Sequence, residues 1–148
     1  ADVLMIFDSW AHMIPSFFWK DFGISPTKKI INKLRKRNIL IPIIGFPFKA
    51  GSSLINYSYE SGVDCLALDW TVDLKWAIEN INPNIVIQGN LDPASLIGNN
   101  SNLDKSVKLI LDTMNNKRHI FNVGHGLTPE CKIENIKKVI NIVKNYNN

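Results

Sequence analysis

The sequence predicts an α/β fold on a parallel sheet, and three observations lead there. Five short runs are almost continuously apolar, as strands buried on both faces are. Helical periodicity fills the stretches between them. The two kinds of segment alternate as five β-α units, the order that parallel strands with helical crossovers require. A doubly wound open sheet and part of a (β/α)8 barrel both satisfy that order. A complete barrel takes about 250 residues, so five units in 148 residues fit five-eighths of one. The chain opens on Ala1-Asp2, without an initiator Met, and enters a strand at once; this favours a segment of a barrel.

The first apolar run is residues 3–7. Ser25-Pro26 then reads as an N-cap followed by proline at the first helical position, where a missing N–H costs nothing. The helix it opens places Ile30, Ile31 and Leu34 on one side and Lys29, Lys33, Lys36 and Arg37 around the rest. The second run, residues 41–46, leads to a helix from Ser52 to about Ser61, closed by Gly62 at C′. The third, 65–68, precedes a helix holding Leu74, Ala77 and Ile78. The fourth, 85–88, precedes Asp92-Pro93, which caps a short helical turn. A longer helix follows, with Leu103, Val107, Ile110, Leu111 and Met114 at helical spacing. The fifth run, 119–123, is followed by Thr128-Pro129 and a helix aligning Ile133, Ile136, Val139, Ile140 and Val143. No linker, low-complexity tract or internal repeat breaks the series, so residues 1–148 read as one segment of a single domain.

Composition narrows the function classes. At 45% hydrophobic and 20% charged, the chain has the material for a packed core. Its longest apolar stretch, 39–48, is broken by Pro42, Gly45 and Pro47, far short of the ~20 residues that span a bilayer. No basic region of a signal peptide opens the chain. Cys65 and Cys131 make neither a disulfide framework nor a zinc spacing, which suits a reducing, cytoplasmic setting. A net charge of +4 suits an acidic ligand. The basic run from Lys28 to Arg37 lacks interleaved aromatics and reads as a solvated helix face, so no nucleic-acid partner is expected. No dinucleotide fingerprint, Walker sequence or serine nucleophile elbow occurs.

Both candidate architectures place ligands beyond the carboxyl ends of the strands. The residues following each run are therefore the first to inspect: 8–11, 47–49, 69–70, 89–93 and 124–126. Competing structural roles exist for most of them. Asp8, Asp69 and Asp92 suit caps, Ser9 suits a loop amide, and Trp10 and Trp70 suit packing. His125 stands out. Glycines on both sides allow a tight turn and close approach to a ligand, and an imidazole can donate to a carboxylate or carry a proton near neutral pH. Cys65 lies inside a strand as a small apolar residue, and His12 and His119 are grouped with no other metal-type ligand.

The same strand ends carry a family likeness. Ile6-Phe7-Asp8-Ser9-Trp10-Ala11 resembles the F-[DE]-S-x-A segment of the uroporphyrinogen decarboxylases. Residues 62–70, with Gly62, Asp64, Asp69 and Trp70, resemble their G-x-D-x-x-x-x-D-W stretch. Gln88-Gly89-Asn90-Leu91-Asp92-Pro93 matches their Q-G-N-L-D-P, and Phe121-Asn122-Val123-Gly124-His125-Gly126 resembles their F-N-L-G-H-G. The departures are small: His12 stands where glycine is usual and Val123 replaces leucine. The resemblance implies the last five βα units of a (β/α)8 barrel. It also implies removal of four acetate carboxyl groups from uroporphyrinogen III to give coproporphyrinogen III and carbon dioxide, without metal or organic cofactor, in a cytoplasmic homodimer. Ser9 and His125 take the substrate-binding positions. The family's catalytic aspartate, arginine-rich segment and substrate-contacting tyrosine fall upstream of this chain, which is expected to be inactive alone. Two other readings remain: a non-catalytic truncated remnant, and a zinc-dependent methyltransferase of the same superfamily, which would need a His-x-Cys pair and a further Cys at the strand ends.

Overall fold

Residues 1–99 and 101–146 are described by the structure, a computed structural model. Five parallel strands form one sheet: β1 (Leu4–Asp8), β2 (Ile43–Pro47), β3 (Cys65–Ala67), β4 (Val86–Gln88) and β5 (His119–Ile120). They lie side by side in sequence order, β1-β2-β3-β4-β5. The register pairs Leu4 with Ile43, Ile44 with Cys65, Cys65 with Val86 and Ile87 with His119. A doubly wound sheet reverses its order at a switch point. This sheet never does, so right-handed crossovers carry every helix to one face. The architecture is that of five consecutive βα units of a (β/α)8 barrel, incomplete in this chain.

The helices are α1 (Ser25–Lys36), α2 (Leu54–Glu60), α3 (Leu74–Asn80), α4 (Leu103–Thr113) and α5 (Ile133–Lys144). Alternation along the strands sorts side chains onto two faces. Ile43, Leu66, Leu68 and Ile87 join Leu54, Tyr57, Leu74, Ala77, Leu103 and Val107 from the helices in the main core. Each such fully buried Leu or Ile contributes about 1.5–3 kcal/mol relative to exposure. Gly45 faces the same way, and a Cβ there would sit 2.6 Å from the Tyr57 hydroxyl. The alternate residues Ile44, Phe46, Cys65 and Ala67 form a second, smaller cluster edged by Met5, Phe48 and Val86. No helical residue belongs to it.

Several local expectations change. Ser25 does not cap α1. Trp19 and Ile24 are already helical in backbone, joined by a π-helical turn (Lys20–Ile24), so Ser25 enters a helix in progress. Trp19 and Ile24 are both buried, and Gly23 lies beneath the Trp19 ring, where a Cβ would come within 2.9 Å. That packing extends the helix upstream. Ile30 and Ile140 face outward at 46% and 45% exposure, so the apolar stripes of α1 and α5 are narrower than the sequence suggests. The fifth strand is a two-residue pairing continued by a separate bridge between Leu91 and Val123. Other signals hold. Gly62 adopts a left-handed φ of 85° after α2, Asp92 caps its turn by accepting from the Ala94 amide at 2.9 Å, and Leu103, Val107, Ile110, Leu111 and Met114 are all buried. Among the described residues, no helix is long and apolar enough to cross a membrane.

Candidate functional site

The carboxyl ends of the strands are tied to one another by backbone and carboxylate hydrogen bonds. The Phe48 amide donates to the Asp8 carbonyl at 3.0 Å. The Lys49 amide donates to Asp69 Oδ2 at 3.0 Å, while Asp69 Oδ1 accepts from the Thr71 amide at 2.9 Å and from the Thr71 hydroxyl. Asp69 is 1% exposed, so its carboxylate is consumed in joining the loops after β2 and β3. The buried Asn90 amide donates to the carbonyls of Asp69 at 2.9 Å and Val72 at 2.8 Å, adding the loop after β4. The loop after β5 is seated last. Its Gly124 amide donates to the Leu91 carbonyl at 2.7 Å, and an added Cβ at Gly124 would fall 2.4 Å from the Trp70 amide nitrogen. Only glycine permits that approach.

The consequence is the placement of His125. Its ring centroid lies 4.9 Å from that of Phe48, 6.0 Å from Trp70 and 6.4 Å from Phe46, edge-on in each case. Phe48 and Trp70 are 5.8 Å apart, and Phe7 meets Phe46 at 6.1 Å. The group continues through His12, 5.9 Å from Phe48 and 6.0 Å from Trp10. Lys49 Nζ lies 5.2 Å from the Phe48 centroid and 5.2 Å from the Trp70 centroid, a cation–π pairing worth about 0.5–1 kcal/mol when exposed. His125 also borders a cavity of about 300 Å³ on the helix-free face, with Met5, Phe7, Phe46, Ala67 and Gln88. A mainly apolar cavity with an exposed imidazole at its edge suits a ligand that combines an apolar body with anionic groups.

Ser9 stands in the turn after β1 on the same rim, exposed, but it does not border that cavity. His125 is thus brought against the aromatic group and the cavity, whereas Ser9 is linked to them only through its neighbours Phe7 and Trp10. The other titratable candidates have structural work. His119 Nε2 donates to the Gly89 carbonyl at 2.6 Å; burial lowers its pKa, with that hydrogen bond opposing. Burial, with Asp64 adding to it, pushes the Cys65 thiol up to about 12, so it carries almost no nucleophilic thiolate near neutral pH. A larger cavity, about 820 Å³, opens between α3 and α4, but its carboxylates are spent as caps. Asp73 accepts from the Trp76 amide at 2.9 Å and Asp92 from Ala94. Chemistry therefore points to the smaller cavity. Among the described residues, no three of His, Cys, Asp and Glu are grouped closely enough to hold a metal ion.

Two features escape sequence reasoning. Phe48 lies in the inspected segment 47–49, but that it and Phe46, two apart across the end of β2, are rings packed against His125 is not legible from the sequence. Lys49 adopts a left-handed φ of 52°, which costs a non-glycine residue about 1–2 kcal/mol, and nothing in its sequence context announces this.

Comparisons with known proteins concern the chain as a whole. The family model described as Uroporphyrinogen decarboxylase (URO-D) matches residues 1–146. The chain is 39% identical over 145 residues to "Uroporphyrinogen decarboxylase" of Cereibacter sphaeroides (strain ATCC 17025 / ATH 2.4.3), covering 97% of this chain and 42% of that protein. It is 41% identical over 146 residues to the protein of the same name from Wolbachia pipientis wMel, covering 99% and 43%. The chain spans less than half the length of these curated relatives. Among solved structures, a methyltransferase from Methanosarcina mazei superposes on 99% of this chain and 42% of its own, with a TM-score of 0.81 at 18% identity, a likeness of fold.

Proposed function

The chain belongs to the uroporphyrinogen decarboxylase family, and on that premise we propose that it forms the C-terminal part of a uroporphyrinogen-binding site, with His125 and Ser9 as donors to substrate carboxylates. The observation that carries this reading is the seating of His125 against Phe46, Phe48 and Trp70 at the mouth of the helix-free cavity. The rings offer faces and edges to the macrocycle, and the imidazole stands at the rim, where acetate and propionate groups would project.

The reaction we assign to the complete site removes four acetate carboxyl groups from uroporphyrinogen III, giving coproporphyrinogen III and four molecules of carbon dioxide. In each round a proton adds to a pyrrole carbon, the electron pair of the bond to the carboxylate collapses into the cationic ring as carbon dioxide leaves, and a second proton ends on the new methyl group as the first is lost. Positive charge on the pyrrole has to be stabilised by a nearby carboxylate. Asp69 and Asp92 are spent on backbone amides, and the family resemblance implies an aspartate upstream of the matched residues for that role. Binding without turnover is then the property of this chain alone, and a cytoplasmic homodimer is the assembly in which it would act. The methyltransferase reading lacks its ligands: the loops after β2 and β5 carry Phe46-Pro47-Phe48 and Gly124-His125-Gly126, and Cys65 is buried within β3.

The test is titration of the chain with uroporphyrin III, the stable oxidised form, followed by tryptophan fluorescence. Saturable quenching is expected, and His125→Ala should weaken it about tenfold or more, since a hydrogen bond to a charged group is worth roughly 1.5–3 kcal/mol. Anaerobic incubation with uroporphyrinogen III should yield no coproporphyrin after oxidation. Equal binding by the chain and His125→Ala would contradict the site assignment; coproporphyrin above the blank would contradict the external carboxylate.

A further inference from the structure

Lys49 is the only Lys or Arg among the strand-end segments 8–11, 47–49, 69–70, 89–93 and 124–126. Three of its features belong together. Its backbone is left-handed, as only two other non-glycine residues are among those described, and both of those are asparagines, Asn38 and Asn116. Asparagine visits that region readily because its short polar side chain can bond locally; lysine has no such compensation. The carboxylate beside it, Asp69, takes its backbone N–H and is filled by Thr71, so Asp69 fixes the peptide rather than pairing with the ammonium. The ammonium rests instead on Phe48 and Trp70, the two rings that also flank His125. Lys49 takes part in neither ion pair found among the described residues, Arg35 with Asp64 and Lys138 with Asp104.

We propose that Lys49 is an anion-binding residue of the site, taking a substrate carboxylate beside the one held by His125, with Phe48 and Trp70 as the common platform that positions both side chains. The inference rests on the tetrapyrrole reading above and deepens it. Ring contacts occupy one side of an ammonium and leave N–H donors on the other, so a carboxylate adds to the pairing without displacing it. Holding the lysine stem on the rings before binding also reduces the conformational freedom lost when the anion arrives. A strained backbone supporting an unpaired cation at a strand end is the kind of outlier that binding sites retain. The residue would reward ligands with more carboxylates: uroporphyrin carries eight and coproporphyrin four.

The experiment compares uroporphyrin and coproporphyrin binding to the unmodified chain, Lys49→Asn, Lys49→Gln, Lys49→Arg and His125→Ala across ionic strength. Asparagine suits the left-handed backbone, so Lys49→Asn should keep the fold, checked by circular dichroism and melting; Lys49→Gln supplies a second neutral variant. The neutral variants should bind uroporphyrin more weakly by up to about fivefold, the upper end of what an exposed charge pair contributes. They should also lose part of the preference for uroporphyrin over coproporphyrin and show a shallower decline with salt. Lys49→Arg should retain all three properties. Unchanged affinity and salt dependence in the neutral variants, with His125→Ala still weakened, would overturn the role of Lys49 and leave the site standing. Failure of the unmodified chain to bind, or indifference to both positions, would overturn the site reading and this inference together.

Discussion

The two faces of the sheet are made by alternate residues of the same strands, yet they obey different rules. On the helix-covered face Ile43, Leu66 and Leu68 are at most 1% exposed, closed over by α2, α3 and α4. On the other face Phe7 is 65% and Ile120 44% exposed, and the buried cluster is small. Packing decides the identity of residues on the first face, because a methylene lost there leaves a cavity. On the second face the rings near the carboxyl ends are organised around a cavity and an imidazole. Burial separates stability from binding here: substitutions on the covered face should be felt in melting, and substitutions on the open face in ligand affinity.

The sharpest way to break this contrast is to truncate one residue on each face. Leu66→Ala should cost about 2–5 kcal/mol and lower the melting temperature by roughly 5–15 °C, measured by thermal or denaturant unfolding. Gly124→Ala should come next. Its methyl group would collide with the backbone of Trp70, so the loop must move at a cost of about 1–3 kcal/mol. Because that loop carries His125, porphyrin affinity should fall with stability, a coupling that Leu66→Ala should not show in its folded population. Phe7→Ser should have the smallest effect on unfolding, within about 0.5 kcal/mol. A Phe7→Ser chain that melts as far below the unmodified protein as Leu66→Ala would show that the open face is a second structural core.

Much of this was legible in the sequence. The five apolar runs located all five strands, and strand-end logic drew attention to 124–126 before any distance was known. The β-α alternation alone left the strand order open, since it fits open sheets and barrels alike; the family resemblance implied a barrel segment, and the observed pairing in sequence order agrees with it. The π-helical turn at Lys20–Ile24 was missed because Phe17-Phe18-Trp19 has no helical periodicity, and the burial of Trp19 that drives it is a tertiary event. Ser25 was misjudged for the same reason: a cap needs a non-helical residue, and packing upstream removed it. At the site, His125 was visible through its glycines and the segment 47–49 through its place at a strand end, whereas the left-handed backbone of Lys49 and its N–H bond to the Asp69 carboxylate are tertiary features that the sequence does not announce.

The central claim, that His125 meets the tetrapyrrole, is tested most directly by chemical protection. Its imidazole is exposed, whereas His119 is half-buried and bonded to the Gly89 carbonyl, so diethyl pyrocarbonate should modify His125 readily and His119 slowly. With saturating uroporphyrin III, mass spectrometry of the digested chain should show His125 modification falling about tenfold or more, corresponding to at least nine-tenths occupancy, with His119 unchanged. Equal modification of His125 with and without uroporphyrin, under conditions where the porphyrin is bound, would place the ligand elsewhere and contradict the account.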